Sequence, residues 1–135
     1  MLRLEGKRIF IIEDIPSNYA VMKLLLEKNG AATWFDRWGN LAIERIRSFL
    51  PVDLIITDLN FPDNVSGYDL FTQIRAIPDL SKIPIVAVSA TDPADAIPRT
   101  RGMGFNGFIV KPIEYDLFIP QIVSLLNGEP VWDAG

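Results

Sequence analysis

The sequence predicts a doubly wound α/β domain built on a five-stranded parallel sheet. Two observations carry that expectation. Five short, β-rich apolar runs alternate along the chain with five longer amphipathic runs, the rhythm of parallel strands covered by helices on both faces. The length, 135 residues, is that of one domain, and the stretch after Leu126 is too short to form another. Residues 1–135 therefore read as a single domain, with a core from about 6 to 127 and a short tail over 128–135.

The elements follow in order. Arg8-Ile9-Phe10-Ile11-Ile12 reads as a buried strand, and Tyr19 to Lys28 as a helix closed by Asn29-Gly30. Ala31 to Phe35 forms a second short strand. Asn40 to Phe49 forms a second helix, with Leu41, Ile43, Ile46 and Phe49 apolar. Asp53 to Thr57 is a third strand, followed by a loop and a helix near Tyr68 to Ala76. Ile85 to Ser89 is the fourth strand, Pro93 to Met103 a helical segment, Gly107 to Val110 the fifth strand, and Tyr115 to Leu126 the last helix. Pro98 and Pro120 fall inside the last two helices, where each removes a backbone donor. The fourth helix is accordingly expected to be short, kinked or partly unwound.

Composition removes several kinds of chemistry. Seventeen acidic and thirteen basic side chains give a net charge of −4, which argues against a nucleic-acid surface. With no cysteine and no histidine, a thiol nucleophile, a disulfide framework, a Ser-His-Asp triad and the usual zinc sites are excluded. The longest apolar runs are of strand length, well short of the ~20 residues of a membrane span. The first residues lack the apolar stretch of a signal peptide. The expected location is cytoplasmic, with no membrane contact, and the sequon Asn64-Val65-Ser66 then has no role.

In doubly wound sheets the working crevice lies at the carboxyl ends of the strands. Glu13 and Asp14 follow the first run, Asp58 the third and Lys111 the fifth, while Ser89 ends the fourth. Three carboxylates in one crevice repel one another, and a divalent cation relieves the conflict; hard oxygen ligands with open water positions suit Mg²⁺. An ionised aspartate is also a nucleophile toward phosphorus. Phosphoryl transfer then asks mainly for positioning and charge neutralisation, which Mg²⁺ and the Lys111 ammonium supply, with the Ser89 hydroxyl as donor to a phosphoryl oxygen.

With these residues in place, the chain resembles the receiver domains of two-component response regulators, over about residues 6 to 127. The resemblance implies a flavodoxin-like (βα)5 fold, of the single-domain chemotaxis-regulator type. It makes Glu13 and Asp14 the acidic pair, Asp58 the phosphoacceptor, Ser89 the switch hydroxyl, Phe108 the switch aromatic, and Lys111-Pro112 the lysine with its cis-prolyl neighbour. It further implies Mg²⁺ bound by Asp14, Asp58 and the Asn60 carbonyl, with Glu13 acting through water. Asn60 and Thr91 are placed to influence the water that hydrolyses an aspartyl phosphate. The resemblance also implies that on phosphorylation Ser89 would be drawn in and Phe108 would turn inward, altering the face of the fourth helix, fifth strand and fifth helix.

The implied partner is a histidine kinase or histidine phosphotransfer protein, because the chain has no histidine of its own. Ile15 and Pro16 would sit where a histidine-bearing helix docks. The chain reads as a stand-alone phosphoacceptor, not a turnover enzyme. Alternatives are a phosphorylation-independent interaction module, or a receiver excised from a larger regulator or hybrid kinase. A Mg²⁺-dependent aspartyl-phosphate phosphatase is a third reading, opposed by Asn60, which stands where haloacid-dehalogenase-like enzymes need a second aspartate.

Three features sit apart from the family pattern. The glycine after Asp58 is Gly67, nine residues on instead of eight, a one-residue insertion expected to leave Asn60 in place. Trp34, Phe35 and Trp38 cluster around the second strand and are expected to be core. Gly102 to Gly107 matches a dinucleotide pattern by letters, but it precedes a strand instead of joining a strand to a helix, so it reads as a loop.

Overall fold

Strings of β-branched and aromatic residues bury both faces of the central strands. In the computed structural model, which describes residues 2–135, β1 (Arg8–Ile12), β3 (Leu54–Thr57) and β4 (Ile85–Ser89) are almost wholly buried. β2 (Ala32–Asp36) lies at one edge, and β5 (Gly107–Val110) follows β4. The helices are α1 (Pro16–Lys28), α2 (Ala42–Phe49), α3 (Gly67–Arg75), α4 (Pro93–Met103) and α5 (Tyr115–Leu126), with a 3-10 turn at Pro78–Leu80. None of the helices is long and apolar enough to cross a membrane, among the described residues.

The sheet order is β2-β1-β3-β4-β5-β6 and every pairing is parallel. A sixth strand, β6 (Val131–Asp133), adds to the expected five and lies within the short tail. Three residues with mixed polarity carry too little periodicity to be read as a strand. Pairing with the open edge of β5 is what makes them one.

Side-chain alternation divides the core in two. Phe10, Ile12, Ile55, Ile85, Ala87 and Phe108 face α2, α3 and α4. Ile9, Ile11, Leu54, Ile56, Val86, Val88 and Ile109 face α1 and α5. Because the period is two, a slip of one residue in any strand would exchange the two faces. Each fully buried side chain such as Phe118 contributes about 1.5–3 kcal/mol by leaving water.

The helix ends follow local chemistry. α1 begins at Pro16, three residues before the expected start, because proline in the first turn lacks only a donor that has no partner there. The Ser66 hydroxyl caps α3 by accepting from the Tyr68 amide at 3.1 Å, and Asp92 caps α4 by accepting from the Ala94 amide at 3.0 Å. Contrary to expectation, α4 runs unbroken through Pro98, as α5 does through Pro120. Both prolines are exposed, and each deprives only a carbonyl near the start of its helix, those of the exposed Ala94 and Asp116, which water can reach.

The aromatic cluster at β2 is also corrected. Trp34 and Trp38 are each 42% exposed, and only Phe35 is half-buried. β2 is an edge strand, so its outer side chains have no neighbouring layer to enter. Phe35 lies 4.8 Å from Tyr19, and the Arg45 and Arg37 guanidinium groups stand over Phe35 and Trp38 respectively.

Candidate functional site

All six strands point the same way, so the carboxyl ends of β1, β3, β4 and β5 meet at one rim. The order reverses between β1 and β3, the switch point where such sheets form a crevice. Glu13 and Asp14 leave β1 there, and Asp58 leaves β3 with its amide donating to the Ile12 carbonyl at 3.0 Å. Carboxylate oxygens of Glu13, Asp14 and Asp58 lie within 4.8 Å of one another.

Each group is held by a different element. Asp58 is 7% exposed, and its Oδ1 accepts from the Leu59 amide at 2.6 Å and the Asn60 amide at 3.4 Å. Its Oδ2 accepts from Lys111 Nζ at 2.8 Å. Lys111 Nζ also donates to Glu13 Oε1, and the other Glu13 oxygen accepts from the Ile15 amide at 3.2 Å. Asp14 is half-buried, and its carbonyl accepts from Arg37 Nε at 3.0 Å. The Lys111 amide donates to the Ser89 carbonyl at 2.9 Å, fixing the ammonium's approach, and the Lys111–Pro112 peptide is cis.

Burial raises the Glu13 carboxyl above its ordinary range, and Lys111 offsets only part of that effect. For Lys111 burial pulls downward, yet hydrogen bonds and charges from Asp58 and Glu13 outweigh it and hold the ammonium above its ordinary value. Three carboxylates and one ammonium carry a formal charge of −3 + 1 = −2. That donor set fits one hard divalent cation, with oxygen ligands and charge balance together.

The Ser89 hydroxyl, wholly buried, lies 2.9 Å from Thr91 Oγ1, which accepts from Asn60 Nδ2 at 2.8 Å. Ser89, Thr91 and Asn60 thus form one chain of hydrogen bonds along the rim. Phe108 does not reach the rim: it is fully buried beside Trp132, its register partner on β6. In this structure the ring lies inward.

The inserted residue in the loop after Asp58 is taken up locally. Asn60 and Ser66 form an antiparallel bridge, and the Val65 amide donates to the Pro62 carbonyl at 3.3 Å around Asp63 and Asn64. Those two residues have φ of 60° and 61°, the pair of left-handed conformations of a type I′ turn, and Asp and Asn are the non-glycine residues that tolerate it best. The loop closes as a small hairpin, which returns Gly67 to Asp58 and leaves Asn60 at the rim.

This arrangement has known counterparts. Residues 9–122 match the family model of the response regulator receiver domain. The chain belongs to the response-regulator receiver family. This receiver is 33% identical over 121 residues to the polar-differentiation response regulator DivK of Brucella ovis, covering 90% of this chain and 97% of that protein. It is 28% identical over 116 residues to the two-component response regulator ORR1 of Oryza sativa subsp. japonica, and the match spans half that protein's length. Among solved structures, the receiver domain of a signal transduction histidine kinase from Syntrophus aciditrophicus superposes with a TM-score of 0.76 at 32% identity, covering 91% of this chain and 92% of that one.

Among the sequence-predicted residues, Glu13, Asp14, Asp58, Asn60, Ser89 and Lys111 come together, and Phe108 stays in the core. Sequence reasoning missed two contributors. Arg37 anchors the Asp14 backbone across from β2, and β6 covers the flank of β5; neither follows an apolar run in a way that marks it.

Proposed function

We propose that this receiver accepts a phosphoryl group on Asp58 from a phosphohistidine on another protein and passes the signal on through altered protein contacts or onward transfer. The observation that carries the reading is the environment of Asp58: a buried carboxylate pinned by two backbone amides and by Lys111, beside two further carboxylates.

An oxygen of the ionised Asp58 carboxylate attacks phosphorus, forming the O–P bond as the N–P bond to the donor imidazole breaks and its electron pair returns to the ring nitrogen. Backbone amides of Leu59 and Asn60 hold Oδ1 and so fix which oxygen is presented. Lys111 stands ready to pair with the incoming phosphoryl oxygens, and Ser89 to donate to one of them once it leaves Thr91. Asp14, Asp58 and the Asn60 carbonyl, with Glu13 beside them, would hold a Mg²⁺ ion, which would supply the remaining charge neutralisation.

A docking place for the donor is supported by exposed apolar residues beside the rim. Ile15, the residue before α1, is 46% exposed, and Tyr115, 65% exposed, lines a cleft of about 140 Å³ with Asn18, Val21, Met22, Lys111 and Pro112. The histidine-bearing helix of a kinase or phosphotransfer protein suits such a surface. Asn60 offers no acid for ester turnover, in keeping with an acceptor that is not an enzyme on external substrates.

The test is intact mass after incubation with acetyl phosphate and Mg²⁺, with Asp58→Ala in parallel. One phosphoryl group on the unmodified chain, absent from the variant and absent in EDTA, is expected. No addition, with Mg²⁺ binding demonstrated separately, would overturn the reading and favour a phosphorylation-independent module.

A further inference from the structure

The outer edge of β5 is occupied by the chain's own segment 129–135. β6 pairs with it in parallel, setting Val131 against Gly107, Trp132 against Phe108 and Asp133 against Ile109. The seat is built for a strand: a Cβ at Gly107 would lie 2.6 Å from the Val131 carbonyl oxygen, so a side chain there would force β6 off the edge. Trp132 rests on the core beneath the Arg101 guanidinium, 5.3 Å from its ring. Asp133 Oδ2 accepts from Gln121 Nε2 at 2.9 Å, tying the segment to α5. Ala134 lines an open cleft together with Pro93, Ala94, Ile97 and Pro98 of α4. Seven residues thus bind α4, β5 and α5 together.

The same segment borders the site. Asp133, Ala134 and Gly135 face Val110, Lys111, Pro112 and Ile113 across a cavity of about 380 Å³. Lys111 is the residue that follows β5, and its ammonium is committed to Glu13 and Asp58. Yet the strap is shallowly held: three paired residues, all half-buried, joined to α5 through the exposed 127–130 turn. Such an element sits at the low end of local stability.

We propose that segment 129–135 is an autoinhibitory strap, which holds β5 and the Lys111 turn in the unphosphorylated arrangement and releases the β5 edge when Asp58 is phosphorylated. The inference rests on the proposed phosphoryl acceptance. A phosphoryl group on Asp58 re-aims Lys111 outward from the carboxylates. The Lys111 amide stays bonded to the Ser89 carbonyl, so the displacement passes to Pro112 and Ile113, which line the cavity shared with the strap. The added charge, about −1.5 to −2, also disfavours Asp133, which lines the cavity beside Lys111. Release bares the β5 edge and the seat of Trp132, a new surface for a partner. Coupling of this kind is reciprocal, so a loosened strap eases phosphorylation.

The experiment is hydrogen exchange on the full chain with acetyl phosphate and Mg²⁺, with intact mass read on the same samples. Phosphorylation is expected to speed exchange of the Val131 to Asp133 amides at least tenfold. In Trp132→Ala those amides exchange at the fast rate in either state, and phosphorylation is faster than in the unmodified chain. Asp133→Ala, which severs the Gln121 contact without touching the core, gives the same direction if Trp132→Ala does not fold. Unchanged tail exchange in a chain whose mass shows full phosphorylation overturns the strap. If the mass shows no phosphoryl group, the acceptor reading fails, and the variants alone decide the strap. Faster exchange at Lys111 and Ile113 then supports it, and unchanged exchange there overturns it.

Discussion

Gly67 stands so close to Asp58 that a Cβ on it would lie 2.1 Å from the Asp58 carbonyl oxygen and 2.8 Å from the Leu59 Cα. Backbone, not a flexible side chain, occupies that space, so any larger residue must displace the strand exit that carries the acceptor. Gly67→Ala is expected to lower stability by about 1–3 kcal/mol, as overpacking does. It should also slow phosphoryl incorporation from acetyl phosphate more than tenfold. Chemical denaturation and intact mass check the two effects separately.

The turn that absorbs the inserted residue depends on left-handed backbone at Asp63 and Asn64. Asn64→Gly should fold with unchanged or slightly raised stability. Asn64→Val should lose about 1–3 kcal/mol, because a β-branched side chain is strained at positive φ. Thermal melts of the two variants test the assignment, and equal melting temperatures would contradict it.

Lys111 makes stability depend on alkaline pH. Its folded-state value lies above the ordinary 10.5, so its contribution is fully present below 10.5 and is lost as pH rises through the folded value. Tyr19 and Tyr68, raised chiefly by burial, act in the same direction. Comparison with Lys111→Met isolates the lysine. In Mg²⁺-free buffer the variant should be about 2 kcal/mol less stable near neutrality, since Asp58 and Glu13 lose their buried partner. That gap should narrow above pH 10.5. A gap independent of pH in denaturation midpoints would place the lysine's role elsewhere.

Asn60, Thr91 and Ser89 bond to one another, and none of them is a strong base. Without a partner the phosphorylated chain is therefore expected to last minutes or longer. The decay of the phosphorylated mass after removal of acetyl phosphate measures this, and loss within seconds would contradict it.

Much of this protein is legible in its sequence. Apolar runs such as Ile9 to Ile12 and Ile85 to Val88 can be satisfied only between two helical layers, so they dictate the parallel sheet and its two faces. Glu13, Asp14, Asp58 and Lys111 are the first polar residues after such runs. Once the strands are parallel, those positions share one rim, whatever the loops between them do.

Other features depend on contacts between residues far apart in the chain. The solvent exposure of Pro98 and Pro120 decides that both helices continue, and exposure is a property of packing, not of local propensity. Trp34 and Trp38 are surface residues because β2 is an edge, and nothing in their own neighbourhood says so. Segment 131–133 is a strand only because β5 offers an unpaired row of donors and acceptors beside Gly107. Periodicity within a segment thus determined the sheet, the helices and the position of the site. Which edges stay open, what covers them and how deeply Phe108 lies were settled by long-range pairing, whose partners are about 25 residues apart at β5 and β6 and leave no local pattern to read.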